Sequence, residues 1–179
     1  GVKLAEFWND RRDVVDRFAE IPKVVLDATT ATEDDTFWTN PGVDLEATLA
    51  QLLTVAGGGD GRGASTITQQ VMKNFLLSGD RKIERKIKEI ILATRVEETL
   101  NKDQILELYL NEILLGQNSY GVAAAAQTYF NKNLSQLEPH EAATLASMPK
   151  APGKFHPVRN KERVLDRRNF VLREMYENG

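Results

Sequence analysis

Most side chains able to do chemistry lie between Gly61 and Glu98, in GRGASTITQQVMKNFLLSGDRKIERKIKEIILATRVEE. Ile67, Val71 and Phe75 step by four, with Gln70, Lys73 and Asn74 on the opposite face. Ile83, Ile87 and Ile91 step the same way, opposite Arg81, Lys82, Arg85, Lys86 and Glu89. Two helices with a break at Ser78-Gly79 would bury both aliphatic stripes and turn amides, cations and one carboxylate toward a shared space. Ser65, just after Gly63, is the expected N-cap of the first helix. Fixed positive charge, amide donors and a helix N-terminus suit an anionic, phosphate-bearing substrate. The same letters also describe a solvated basic helix, in which an Arg85–Glu89 i,i+4 pair contributes about 0.2–0.5 kcal/mol.

Glu33 is the second source of chemistry. It stands beside Asp34 and Asp35 in residues 33–42, EDDTFWTNPG, which read as a loop closed by the turn Asn40-Pro41-Gly42. A carboxylate next to Phe37 and Trp38 in a cleft can act as general acid or base. A solvated acidic loop accounts for the same residues.

The chain has 179 residues and a net charge of −3, which fits one domain with a real core. It is not built to coat nucleic acid. The segment 81–88 nevertheless holds five Lys or Arg against one Glu, a local patch suited to a small anionic ligand. The absence of cysteine removes disulfides, thiolate metal sites and thiol nucleophiles. His140 and His156 are too few for a histidine metal site and are expected to be structural. No apolar run is long enough to span a bilayer.

Helix dominates the remaining pattern. Residues 1–21 read as an extended arm or short helix, and Val24, Val25 and Leu26 as a short helix leading into the acidic cluster. Asp44 caps LEATLAQLLTVA, whose Leu45, Leu49, Leu52 and Leu53 form one face ended by Gly57, Gly58 and Gly59. That face would ordinarily be core; beside a glycine hinge it could also be a mobile flap touching lipid. LNKDQILELYLNEILL turns Ile105, Leu108 and Ile113 inward, with Tyr109 and Tyr129 also read as core and Asn111 as ordering the helix–loop junction. The alanines at 123–126 suit close helix packing, Pro139 opens a helix, and Asn160 caps the last one.

These residues carry a resemblance. Glu33-Asp34, Phe37 and Gly42; Gly63-Ala64-Ser65-Thr66-Ile67-Thr68-Gln69-Gln70 with Lys73-Asn74; Arg81, Arg85-Lys86 and Glu89; Glu107-Leu108-Tyr109-Leu110-Asn111 through Gly116 and Tyr120-Gly121; and Glu141-Ala142-Ala143 through Pro149 and Pro152 follow in order over roughly residues 22 to 175. The sequence resembles the peptidoglycan glycosyltransferase family, found in bifunctional penicillin-binding proteins and monofunctional transglycosylases. Many members carry His where this chain has Asn40, and Arg62 interrupts the glycines before the second motif.

The resemblance implies a mainly α, lysozyme-like helical domain with a small mobile flap, spanning 1–179 with residues 1–21 as an N-terminal arm. It implies polymerisation of lipid II into glycan strands by inverting transfer, with release of undecaprenyl diphosphate. Glu33 then matches the base and Glu89 the second carboxylate. Lys73, Arg81 and Lys86 match the diphosphate-binding cations, Arg85 is substrate-binding beside them, and Ser65, Gln70 and Asn74 supply hydrogen bonds. No cofactor is required, with Mg or Mn as a stimulant at most. The implied setting is the extracytoplasmic face of a bacterial membrane, with an anchor or a transpeptidase domain, where present, outside 1–179. Two rival readings stay open on the residues alone: a lysozyme-like hydrolase using Glu33 as acid, and a non-catalytic helical module binding a lipid phosphate.

Overall fold

The computed structural model describes residues 11–58, 65–75, 82–149 and 160–179. Gly61–Gly63, the Ser78-Gly79 break, Arg81, Pro152 and His156 lie outside them, as do the side chains of Leu52, Phe75, Lys82 and Ile83. The described chain is mainly helical, as expected: α1 Lys23–Glu33, α2 Leu45–Ala56, α3 Ile67–Phe75, α4 Lys82–Glu97, α5 Lys102–Glu112, α6 Val122–Phe130, α7 Pro139–Ala146 and α8 Lys161–Glu177. One two-residue pairing joins β1 Arg11–Arg12 to β2 Ser119–Tyr120 in parallel.

Helices α1, α7 and α8 pack on one another, α3 packs on α4 and α5, and α6 lies against α5 and α7. Phe37, Ile67, Ile105, Leu106, Tyr109, Leu110 and Leu145 are among the large side chains removed from water. Each contributes about 1.5–3 kcal/mol of transfer free energy before the entropy of ordering it. The alanine run behaves as expected: Ala124, Ala125 and Ala126 are buried where α6 meets its neighbours.

Local chemistry sets the helix ends. Asp44 accepts a hydrogen bond from the amide of Ala47 at 2.9 Å and so caps α2. Asn101 and Gln104 form a capping box at the start of α5. Asn160 stands at the N-cap position of α8, but its side chain makes no capping bond. In the N-terminal arm β1 is extended and Phe18–Glu20 forms one turn of 3-10 helix. The Asn111 amide grips the arm from both sides, accepting from the Val15 amide at 2.9 Å and donating to the Val15 carbonyl at 3.0 Å. Asn111, in the last turn of α5, therefore fastens the arm to that helix. Gly121 sits at φ +84°, where a Cβ would stand 2.7 Å from the Asn111 carbonyl oxygen, so only glycine fits that close approach.

Three expectations fail. Glu33 belongs to the last turn of an eleven-residue helix rather than to a loop. The leucine face of α2 is not core: Leu45, Leu49 and Leu53 are 74%, 60% and 66% exposed. On α4 the isoleucines at 87 and 91 are 45% and 47% exposed, whereas Lys86 and Glu89 are buried. The rotation of α4 follows its neighbours. Its inner side must accept the Lys86–Glu89 pair and present small Ala93 where Gly42 comes close; a Cβ on Gly42 would stand 3.1 Å from the Ala93 carbonyl oxygen.

The junction of α6 and α7 rests on one buried carboxylate. Lys132 donates to both oxygens of Glu141 at 2.8 and 2.9 Å, and the Glu138 amide donates to the same group at 2.9 Å. Burial alone would raise the Glu141 pKa, but those donors and charges bring the net below the ordinary value of 4.5. A carboxylate so depressed stabilises the fold above its unfolded pKa, and that stability is lost as pH falls through the folded pKa. We expect Glu141→Gln to cost about 1–3 kcal/mol near neutral pH, read from melting temperature. The gap between variant and wild type should shrink as the pH is taken below 4.5. A gap independent of pH would contradict this account.

Candidate active site

The site begins where α1 stops. Asp34 leaves the helical conformation with φ −166° while its amide still bonds to the Thr30 carbonyl at 3.0 Å. Its side chain turns inward and takes three donors: the Ile67 amide at 2.9 Å, the Asn40 amide group at 2.9 Å and the Thr36 hydroxyl at 3.3 Å. Burial raises the Asp34 pKa, and these hydrogen bonds together with the Lys102 charge pull against that shift. One carboxylate thus ties the end of α1 to both the 35–42 loop and the first turn of α3. A negative group at a helix N-terminus is also favoured by the helix dipole.

Thr66, not Ser65, caps α3. Its hydroxyl accepts from the Gln69 amide at 3.2 Å, and its own amide donates to Gln69 Oε1 at 3.0 Å. The same hydroxyl donates to the Gly42 carbonyl at 2.6 Å, fixing the loop to the helix. Ser65, one residue earlier, is released from capping and serves the site.

From Glu33 a continuous run of polar contacts reaches Glu89. Gln70 Nε2 donates to Glu33 Oε2 at 3.1 Å and to the Ser65 carbonyl at 3.3 Å. Lys86 Nζ donates to Ser65 Oγ at 2.8 Å and stands 3.3 Å from Glu89 Oε2. Arg85 reaches the other Glu89 oxygen at 3.7 Å. Burial lowers the Lys86 pKa, the Glu89 carboxylate raises it again, and the Lys73 charge lowers it. Lys73 is therefore close enough to be felt at Lys86, although it is exposed on the last turn of α3 beside exposed Asn74. Of the nine residues read from the sequence, Glu33, Ser65, Gln70, Arg85, Lys86 and Glu89 meet in one network. Lys73 joins it electrostatically, Asn74 lies on the rim, and Arg81 lies outside the described residues.

Lys102 and Glu97 were not singled out in the sequence, and Asn40, Thr68 and Tyr109 take parts not assigned to them there. Lys102 donates to the Asn40 carbonyl and to Glu97 at 2.7 Å each and lies 4.7 Å from the Phe37 ring centroid. Thr68 donates to the same Glu97 oxygen at 2.6 Å. Asn40 is engaged at both ends, accepting from the Gly42 amide at 2.9 Å and donating to Asp34. In this chain position 40 thus braces the loop. Tyr109, read as core, is 1% exposed, yet its hydroxyl reaches Gln70 Oε1 at 3.4 Å. The available signal was a phenol among Ile105, Leu106 and Leu110, since a buried hydroxyl needs a partner. Among the described residues there is no group of three or more His, Asp or Glu placed to hold a metal ion.

A helical domain with two carboxylates joined through an amide, a hydroxyl and a buried lysine, flanked by further cations, is equipped for transfer chemistry on an anionic substrate. The transglycosylase family model matches residues 1–176. Penicillin-binding protein 1A of Neisseria flavescens is 46% identical over 180 residues, covering 100% of this chain and 22% of that protein. The Escherichia coli K12 protein of the same name is 46% identical, again over all of this chain and 21% of its own length. The crystal structure of penicillin-binding protein 1A from Haemophilus influenzae superposes with a TM-score of 0.53 at 31% identity, covering 93% of this chain and 15% of that one. The chain belongs to the transglycosylase family. It spans about a fifth of the length of the curated relatives it matches.

Replacing Asp34 with Asn tests the anchor. An amide oxygen can no longer accept from all three donors, and its NH2 would face the Ile67 amide or the Asn40 amide group. We expect Asp34→Asn to lower stability by about 1–3 kcal/mol in thermal or denaturant unfolding. An unchanged midpoint would mean that the carboxylate does not hold the junction.

Proposed function

We propose that this domain, residues 1–179 with an arm over 1–21, polymerises lipid II into glycan strands by inverting glycosyl transfer, releasing undecaprenyl diphosphate. The observation that carries the reading is the unbroken contact run from Glu33 through Gln70, Ser65 and Lys86 to Glu89. Such a reaction has two requirements: removal of a proton from a weakly acidic sugar hydroxyl, and stabilisation of negative charge on a departing diphosphate.

Glu33 is the proposed base. The hydrogen bond from Gln70 fixes one of its oxygens. Lys73, Arg81, Arg85 and Lys86 are the proposed diphosphate partners, arginine by bidentate contact and lysine as point charge. Glu89 holds Lys86 and Arg85 in place, Ser65 and Asn74 offer hydrogen bonds to sugar or phosphate, and Gln70 serves the site by holding Glu33. No step is assigned to a metal; Mg or Mn acts at most as a stimulant.

Among the described residues no helix is long and apolar enough to cross a membrane. Exposed Leu45, Leu49 and Leu53 on α2, with Ile87 and Ile91 on the adjoining α4, nevertheless form apolar surface suited to resting on a bilayer. We place the domain at the extracytoplasmic face of a bacterial membrane, where a lipid-linked substrate would be taken directly from the bilayer. The greater length of the relatives supports a transpeptidase domain on the same polypeptide as partner. The net charge of −3 does not favour nucleic acid.

The test is a gel assay of glycan formation from purified lipid II, with and without moenomycin. Glu33→Gln should reduce polymerisation by about 10²–10⁴-fold while moenomycin still binds. Near wild-type rates in that variant would remove Glu33 from the role of base. Leu49→Glu with Leu53→Glu should weaken sedimentation with anionic lipid vesicles while leaving the melting temperature unchanged. Equal sedimentation would refute the membrane-facing surface.

A further inference from the structure

We infer that Tyr109 is a positioning residue for the transfer reaction: its buried hydroxyl holds the Gln70 amide in the orientation that presents an N–H to Glu33. The inference rests on Glu33 being the base. Tyr109 is on α5 and Gln70 on α3, two helices packed directly together. The phenol ring fills core space that Phe would fill equally well, so packing alone does not call for the oxygen. At 1% exposure that oxygen has no access to bulk water, and a buried hydroxyl left without a partner costs free energy.

Its partner is Gln70 Oε1, at 3.4 Å. The amide has two chemically opposite ends. With Oε1 turned to the Tyr109 proton, Nε2 points the other way, to Glu33 Oε2 at 3.1 Å and the Ser65 carbonyl at 3.3 Å. Both amide protons are then directed at acceptors, and the amide oxygen at a donor. A flipped amide would set its oxygen against the Glu33 carboxylate and its NH2 against the tyrosine. The tie to Tyr109 also restrains the χ torsions of a half-buried glutamine, which otherwise could swing away from the carboxylate it serves. Tyr109 approaches Gln70 from the protein interior, so it acts on the base through Gln70.

The consequence appears in turnover rather than in substrate affinity. In the full chain, Tyr109→Phe should lower kcat by about fivefold, the value of one lost neutral hydrogen bond, with KM for lipid II unchanged. Tyr109→Met, a second variant without the hydroxyl, should do likewise, and melting curves show that each is folded. In a Gln70→Ala background the Phe substitution should cost nothing further, because the group it orients is gone. Equal kcat in wild type and the hydroxyl-free variants overturns the inference, as does the same fold loss in both backgrounds. Glu33→Gln is assayed alongside. An active Glu33→Gln overturns the base assignment and this inference with it, whereas an inactive Glu33→Gln with an unaffected Tyr109→Phe overturns this inference alone.

Discussion

The active-site half of the molecule depends on one buried carboxylate. Asp34 is buried at the point where α1 ends, and its two oxygens collect donors from the following loop and from the first turn of α3. Burying a charge is costly unless every lone pair is answered, and here the answering groups belong to separate segments. Satisfying one side chain therefore brings α1, the loop and α3 into a fixed relation. Glu33 is the preceding residue on the chain, and Gln70 lies one turn into α3. Their 3.1 Å contact follows from the anchoring of their neighbours.

A second layer braces the first. Lys102 and Glu97 pair at 2.7 Å with little exposure, and the same two residues hold the Asn40 carbonyl and the Thr68 hydroxyl. A buried ion pair contributes modestly to net stability, because desolvation offsets much of the Coulomb attraction. Its effect here is geometric: it joins the loop to α3, α4 and α5. Gly42 completes the arrangement by letting the loop lie against α4, where a side chain at φ +85° would meet the Glu97 methylene carbon.

Much of the fold was legible because helix ends and small-residue packing are local properties. Pro139 and Asp44 announce their helices by chemistry within four residues, and the alanine run of α6 announces close packing. The candidate site residues were singled out by a family resemblance, since spacing alone left a solvated basic helix and a solvated acidic loop open. Periodicity misled on α2 and α4 because it reports that a helix has an apolar face without saying where that face points. On α4 the isoleucines face outward and a lysine and a glutamate face inward, the reverse of the ordinary assignment. The roles of Asp34, Lys102 and Tyr109 depend on contacts between segments 33, 62 and 39 residues apart, which local pattern does not encode. Ser65 and Thr66 were exchanged as cap for a related reason: both are good caps, and only the Thr66–Gly42 contact decides between them.

The inversion on α4 has a physical logic for the proposed chemistry. Lys86 sits where burial disfavours its charge, so an ammonium there needs a nearby anion even when no substrate is bound. Glu89 provides one at 3.3 Å, and Ser65 takes a further proton at 2.8 Å. A diphosphate entering beside Lys86 then meets a cation already desolvated and oriented, and the reorganisation that water would demand has been met during folding. The Glu89 charge opposes the incoming phosphate, but it keeps Lys86 charged and restrains Arg85 through the opposite oxygen. With the polar side of α4 committed inward, its isoleucines are left for the surface beside the α2 leucines. On the proposed function, one rotation of a single helix thus serves both ends of a lipid diphosphate: charged side chains toward the headgroup and aliphatic ones toward the bilayer that holds its tail.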